Sequence, residues 1–315
     1  MMRRPMSRIA GNVTWLIGDT PLLALARLSP AGGARVVAKL ERQNPTGSNK
    51  DRATLAMVQH AEQSGFLQPG GTIIEASAGD TAVALAMVAA QRGYSLILAM
   101  PANTPAGRRN LLRALGARIE PTDPQLGIHG AFARAEQLAR EIPGAHVLQP
   151  FTNRANVRAH ARGTAREIWQ DTDGQVAIVV CPAGTGGTAA GCVAFFKEVA
   201  PHVQVVAVEP AASPVLGGGQ PGAHNLPGLG AGFVPDILCV ADLAEVLAVR
   251  EADAFTTLRR LAREEGVLAG PASGAVLHAA LELATRPARR GQLVVAILPD
   301  SGERYAEHAA FAEAP

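Results

Sequence analysis

Short apolar runs alternate along the chain with alanine-rich stretches of helical length. The runs Arg35–Leu40, Thr72–Ala76, Leu96–Met100, Arg118–Glu120, His146–Leu148, Val176–Cys181, Val203–Val208 and Leu293–Leu298 predict strands. Between them, Asp51–Gln63, Thr81–Arg92, Ala106–Leu115, Ala131–Arg140, Asn156–Trp169, Thr188–Val199, Glu251–Glu265 and Ser273–Ala284 predict helices. Strand–helix alternation of this kind implies an α/β fold, a mainly parallel sheet with helices on both faces. Several predicted helices follow a strand through a loop of Gly, Ser, Thr or Asp, and ligands of open parallel sheets bind at that edge. The glycine-rich stretch 210–235 has neither pattern and reads as a functional loop or a flexible surface loop. No internal repeat or low-complexity linker interrupts the chain.

Composition narrows the class. A chain of 315 residues suggests about two domains. With 48% hydrophobic and 18% charged residues it is not a disordered chain. Twenty-nine Lys and Arg against 27 Asp and Glu give a net charge of +2 with no basic block, which argues against a nucleic-acid partner. Cys181, Cys192 and Cys239 lack CxxC spacing and read as free thiols of a reducing compartment, the cytoplasm. No apolar run reaches the roughly 18 residues of a membrane span. Residues 1–6 carry two arginines but no following apolar core of signal-peptide type. No histidine pair has metal-ligand spacing, so no metal is expected.

Three loops could carry chemistry. The segment Asn44-Pro45-Thr46-Gly47-Ser48-Asn49-Lys50-Asp51-Arg52 sets Lys50 near the first turn of a helix, where the dipole disfavours a cation and lowers a lysine pKa. Such a lysine suits Schiff-base chemistry, although most lysines are simply solvated. The segment Ser77-Ala78-Gly79-Asp80-Thr81 offers hydroxyls and free N–H groups at a helix start. It reads as a carboxylate site, or as a plain cap by Asp80 or Ser77. The third loop, Gly184-Thr185-Gly186-Gly187-Thr188, follows a strand and opens a helix, as a phosphate site would. With Ala189, and with Glu209 ending the next strand, it also fits the dinucleotide fingerprint. A dinucleotide-binding half would open its own domain, without two elaborate loops ahead of it.

Together these segments resemble the cysteine synthase (O-acetylserine sulfhydrylase) family, pyridoxal-phosphate enzymes of fold type II. The likeness begins at Ile17-Gly18-Asp19-Thr20-Pro21-Leu22, close to IGNTPL, and continues through the lysine loop, close to NPxGSxKDR. It takes in Gly184–Thr188, then Leu226-Pro227-Gly228-Leu229-Gly230-Ala231-Gly232-Phe233-Val234-Pro235. It ends in the stretches 265–275 and Asp300-Ser301-Gly302-Glu303-Arg304-Tyr305.

The resemblance implies two three-layer α/β domains. Residues 1–45 and 151–315 would form the larger, cofactor-phosphate-binding one, and 46–150 a smaller, mobile, substrate-binding one. It implies pyridoxal 5′-phosphate on Lys50, with its phosphate on Gly184, Thr185, Gly186, Gly187 and Thr188 and its ring nitrogen on Ser273. A hydroxyl at Ser273 does not force that nitrogen to be protonated, which makes a weaker electron sink. Ser77, Ala78, Gly79 and Thr81 would grip the substrate carboxylate, with Gln149 and Gly228 on the substrate side. The implied reaction is β-replacement on an activated serine by sulfide through an aminoacrylate, in a homodimer; the alternatives are a related β-replacement or β-elimination on another β-substituted amino acid, as in a cystathionine synthase, or a non-catalytic relative. Three departures touch the substrate side. Ala78 removes a hydroxyl from the family's TSGNT, and Asp80 replaces its asparagine beside the cofactor's 3′-oxygen. Pro150 stands where a glutamine is expected, with Gln149 one place early. An Asp80 carboxylate facing a phenolate would drive a proton onto one of them.

Overall fold

The computed structural model describes residues 9–312. The reading of residues 1–6 as lacking a signal peptide lies outside them. In chain order the elements are β1 (Leu22–Ala24), β2 (Arg35–Leu40), α1 (Lys50–Gln63), β3 (Thr72–Ala76), α2 (Asp80–Arg92), β4 (Ser95–Pro101) and α3 (Ala106–Ala114). Next come β5 (Arg118–Thr122), α4 (Gly127–Glu141), β6 (His146–Val147), α5 (Arg154–His160) and α6 (Arg166–Asp171). The last are β7 (Val176–Pro182), α7 (Gly187–Val199), β8 (Gln204–Pro210), β9 (Glu245–Val249), α8 (Glu251–Glu265), α9 (Pro271–Thr285) and β10 (Leu293–Leu298).

Two sheets result. The larger runs β1-β2-β10-β7-β8-β9, parallel throughout except for the antiparallel β1. The smaller, β5-β4-β3-β6, is all parallel. Side-chain alternation along β10 sends Val294, Ala296 and Leu298 to the α8–α9 face, and Leu293, Val295 and Ile297 to the α6–α7 face. In the smaller sheet Ile73, Leu96 and Leu98 pack with α1 and α2, while Ile74, Ile97 and Ala99 pack with α4. Each sheet is thus sandwiched, as the α/β reading expects.

Departures from the predicted elements have local causes. β1 and β9 escape an apolar-run search because they are short, partly exposed strands at the two edges of the larger sheet. The helix expected over Asn156–Trp169 is split by a π-helical turn at Ala161–Ala165. Opposite it, a Cβ on Gly191 of α7 would lie 2.5 Å from His160 Cβ and 2.7 Å from the Val157 carbonyl. The two helices touch backbone to backbone.

A buried charge cluster joins the larger sheet to α1. Arg52, one turn into α1, donates to both oxygens of Glu41 at 2.7 and 2.8 Å, and to both of Glu167 at 2.6 and 2.7 Å. Lys39, fully buried, pairs with Glu167 at 2.8 Å. Thr20 and Asn44 add hydrogen bonds to Glu41. Burial alone would raise both carboxyls. Arg52 instead holds Glu41 below its usual value, and Arg52 with Lys39 holds Glu167 at about 2.

Arg52→Ala should strand two buried carboxylates and cost about 3–5 kcal/mol, read as a lower urea midpoint. Glu167 is depressed in the folded chain relative to an unfolded value of about 4.3. The stability it lends is therefore full above about pH 5 and lost as pH falls toward 2. Urea titrations of the native chain and Glu167→Gln should converge at low pH; parallel curves would refute this.

Candidate active site

Lys50 is the first residue of α1, as the sequence expects. Its ammonium bonds to Asn49 Oδ1 at 2.9 Å, and Asn49 Nδ2 donates to Thr188 Oγ1 at 3.1 Å. One asparagine thus couples the lysine to the Gly/Thr loop. Burial is the largest influence on Lys50 and lowers its pKa, against the opposing pull of Asp80, Asp300 and Glu41. The loop itself is fixed by Asp51, which accepts from the Thr46 N–H at 2.8 Å and from the Thr46 hydroxyl. Burial pushes the Asp51 carboxyl up to about 6.

The segment 184–188 forms a cradle that only glycine permits. A Cβ on Gly184 would sit 2.3 Å from the Gly228 carbonyl oxygen, and one on Gly187 would sit 2.0 Å from Asn156 Oδ1. Gly186 precedes α7 at φ +82°. The first N–H groups of α7 have no acceptor within the helix, and Thr185 and Thr188 stand beside them. Asn156 Nδ2 donates to Thr185 Oγ1 at 3.1 Å and to the Pro150 carbonyl at 2.9 Å, whereas its buried Oδ1 has no partner among the described residues. His160 reaches Thr188 Oγ1 at 3.4 Å and Thr164 Oγ1 at 2.9 Å. Burial lowers its pKa to about 3, which keeps the ring neutral. A phosphate fits this donor set.

Glu209, the acid of the dinucleotide fingerprint, is already occupied. It accepts from the N–H groups of Leu216 and Gly217 at 2.7 and 2.9 Å and anchors the glycine-rich loop. That leaves it no role on a ribose.

Ser77, Ala78 and Gly79 link β3 to α2, with Thr81 in the first turn. Gly79, rather than Asp80 or Ser77, is the N-cap, without a side-chain cap bond. Asp80 instead meets Arg304 in a close ion pair, with Arg108 at 3.6 Å. Two guanidiniums thus face the Asp80 carboxylate, a pairing that the sequence reading did not include. Gln149 is exposed, in the left-handed region at φ +54°. Its N–H donates to buried Glu75 at 3.2 Å, and burial raises that carboxyl to about 7. The Gln149 carbonyl accepts from the N–H groups of Thr152 and Asn153 at 3.1 and 3.0 Å, just before α5. Gly228 packs its carbonyl on Gly184 at φ +93°. Ser273, fully buried, donates to Asp300 at 2.7 Å.

Sequence reading missed Asn49, Asn156, His160, Arg304 and Asp300 as site residues. Asn49, Arg304 and Asp300 lie inside the quoted motifs, but their partners come from distant segments.

A family model described as pyridoxal-phosphate dependent enzyme matches residues 13–300. The "Probable cysteine synthase" of Bacillus subtilis is 46% identical over 303 residues, 95% of this chain and 97% of that one. The chain belongs to the cysteine synthase family. Its cofactor is pyridoxal 5′-phosphate. Among solved members, O-acetylserine sulfhydrylase isoform 3 from Entamoeba histolytica superposes with a TM-score of 0.95 at 36% identity, covering 100% of this chain and 95% of that one. O-ureido-L-serine synthase superposes at 0.92, also 36% identical, with 98% of both chains covered. No described helix is long and apolar enough to cross a membrane.

Gly187→Ala should force Asn156 aside at an overpacking cost of about 1–3 kcal/mol. Cofactor retention on dialysis, followed by visible absorbance, should fall relative to an exposed control, Gly107→Ala, where a Cβ meets nothing within 4 Å. Equal retention would show that the cradle is not tight.

Proposed function

We propose that the chain makes L-cysteine by β-replacement, exchanging the β-substituent of an O-acetylserine-type activated serine for sulfide. The observation that carries this is Lys50: buried, at a helix start, and coupled through Asn49 to the Gly/Thr cradle. The names of the relatives point the same way.

Bound pyridoxal phosphate supplies an electron sink for the bonds at Cα and Cβ of an amino acid. Lys50 anchors the cofactor through Nζ. Released by substrate, it takes the Cα proton and later returns it, and a pKa lowered by burial leaves more of it free as a base. Gly184, Thr185, Gly186, Gly187 and Thr188 hold the phosphate, and Ser273 faces the ring nitrogen. Ser77, Ala78, Gly79 and Thr81 hold the substrate carboxylate, while Gln149 and Gly228 line the substrate side. Asp80 stands beside the cofactor with its charge matched by Arg304 and Arg108.

Residues 46–150 serve as the smaller mobile unit against 1–45 and 151–315, in a homodimer. A cytoplasmic setting suits three unpaired thiols, of which Cys181 and Cys192 are buried and Cys239 exposed. Ala78 and the Asp80–Arg304 pair favour a second reading, β-replacement on another β-substituted serine. The likeness to O-ureido-L-serine synthase adds to it.

Lys50→Ala should lower kcat by about 10²–10⁴-fold or more, and borohydride should fix the cofactor to the Lys50 peptide. Label on another peptide would refute the assignment. A panel of β-substituted serines with sulfide, read as cysteine formed, tests the reaction. O-acetylserine should be turned over, and no cysteine from any member would overturn it. Asp80→Asn leaves two guanidiniums unmatched and should lower KM for sulfide, which reacts as the anion HS⁻, at low salt, an effect that added salt erases. An unchanged KM would place Asp80 away from the substrate path.

A further inference from the structure

Ser273 belongs to a buried pair whose second member the proposed chemistry leaves unused. Its hydroxyl lies 2.7 Å from Asp300 Oδ1, and the two residues are 0% and 2% exposed. Asp300 has little freedom. Its backbone pairs with Ser48, the Gly270 N–H donates to its carbonyl, and a Cβ on Gly270 would lie 2.2 Å from its carboxylate. The titratable and charged groups facing it are Lys50, Asp80 with its partners Arg304 and Arg108, and the Tyr305 hydroxyl.

A hydroxyl has one hydrogen and two lone pairs. When Ser273 gives its hydrogen to Asp300, only lone pairs remain for anything on its other side. A lone pair binds a protonated ring nitrogen and opposes a bare one. Resting on the reading that Ser273 faces the cofactor's ring nitrogen, we propose that Asp300 is a positioning residue: by holding the Ser273 hydrogen, it raises that nitrogen's affinity for a proton.

This reverses the expectation that a serine at this place makes a weak electron sink. The serine is the contact, and the carboxylate behind it sets what the contact prefers. Burial, and next Asp80, push the Asp300 carboxyl up to about 7, so the carboxylate form prevails above that pH. When Asp300 is protonated it donates to Ser273 Oγ instead, and the serine hydrogen is free for an unprotonated nitrogen. Ser273 can give its one hydrogen to only one side at a time.

The test uses holoenzyme carrying cofactor labelled with ¹⁵N in the ring, its nitrogen signal followed across about pH 6 to 10. In Asp300→Ala, which leaves the Ser273 hydroxyl no acceptor side chain at 300, the nitrogen's titration midpoint should fall by about one unit or more, a tenfold loss of proton affinity. Asp300→Ser, which removes the carboxylate without adding bulk, repeats the comparison should the alanine variant fold poorly. In a Ser273→Ala background the same change at 300 should shift the midpoint much less, because the coupling runs through the hydroxyl. An unmoved midpoint in both Asp300 variants overturns the proposal. So does an equal shift without Ser273, which would make Asp300 a distant charge. Wild-type protein that retains no cofactor would overturn the reading of the site itself, whereas retained cofactor with an insensitive nitrogen would overturn the role of Asp300 alone.

Discussion

The arrangement rests on one guanidinium. Arg52 lies two residues beyond Lys50 on the same helix and is gripped in bidentate fashion by Glu41, just after β2, and by Glu167 on α6. A planar fork of donors held by two carboxylates fixes direction as well as distance. The helix that presents Lys50 packs its apolar face on the smaller sheet, yet its first turn is locked to the larger one. A buried pair gives little net stability over a well-packed apolar replacement. Here its effect is geometric: the lysine cannot rotate or slide without stranding two buried carboxylates.

From that anchor the polar contacts fan out in short steps. Lys50 touches Asn49, Asn49 touches Thr188, Thr188 touches His160, and Thr185 touches Asn156. Every link but Thr185, which lies in the loop before α7, is a side chain on a regular element or at its end, so the cradle inherits the rigidity of α5 and α7. Glycines 187 and 191 leave no gap between those helices, which is why a neutral buried histidine can reach the loop at all.

Much of this was legible in the chain, for physical reasons. Leu293–Leu298 reads as a strand because it is buried on both faces, and an unbroken aliphatic run has few other solutions. The lysine loop and the Gly/Thr loop were visible as segments, but each alone left its role open, and only the family resemblance of several segments in order assigned one. The π-helical turn was not legible, since the crowding that accompanies it comes from Gly191, some thirty residues on. Nor was the partner of Asp80, because Arg304 lies 224 positions away and only the fold joins them. Glu209 shows the converse failure. Its spacing matched a ribose ligand, but the loop after β8 had claimed its carboxylate.

β10 sits in the middle of the larger sheet, between β2 and β7, although it is the last of the strands among the described residues. Just beyond it, Asp300 pairs with Ser48 and Ser301 with Ala269, and the Asn49 N–H bonds to the Pro299 carbonyl. During synthesis these contacts of the lysine loop therefore form only after β10 has been made, later than its links through Arg52 to Glu41 and Glu167 and through Asn49 to Thr188 can form. The smaller sheet, drawn from residues 72–147, is complete long before then. Contacts of such sequence separation form slowly, because the intervening chain must be ordered first. Until they form, β2 is paired only with β1 and keeps its other edge open, which exposes the nascent chain to wrong pairing there.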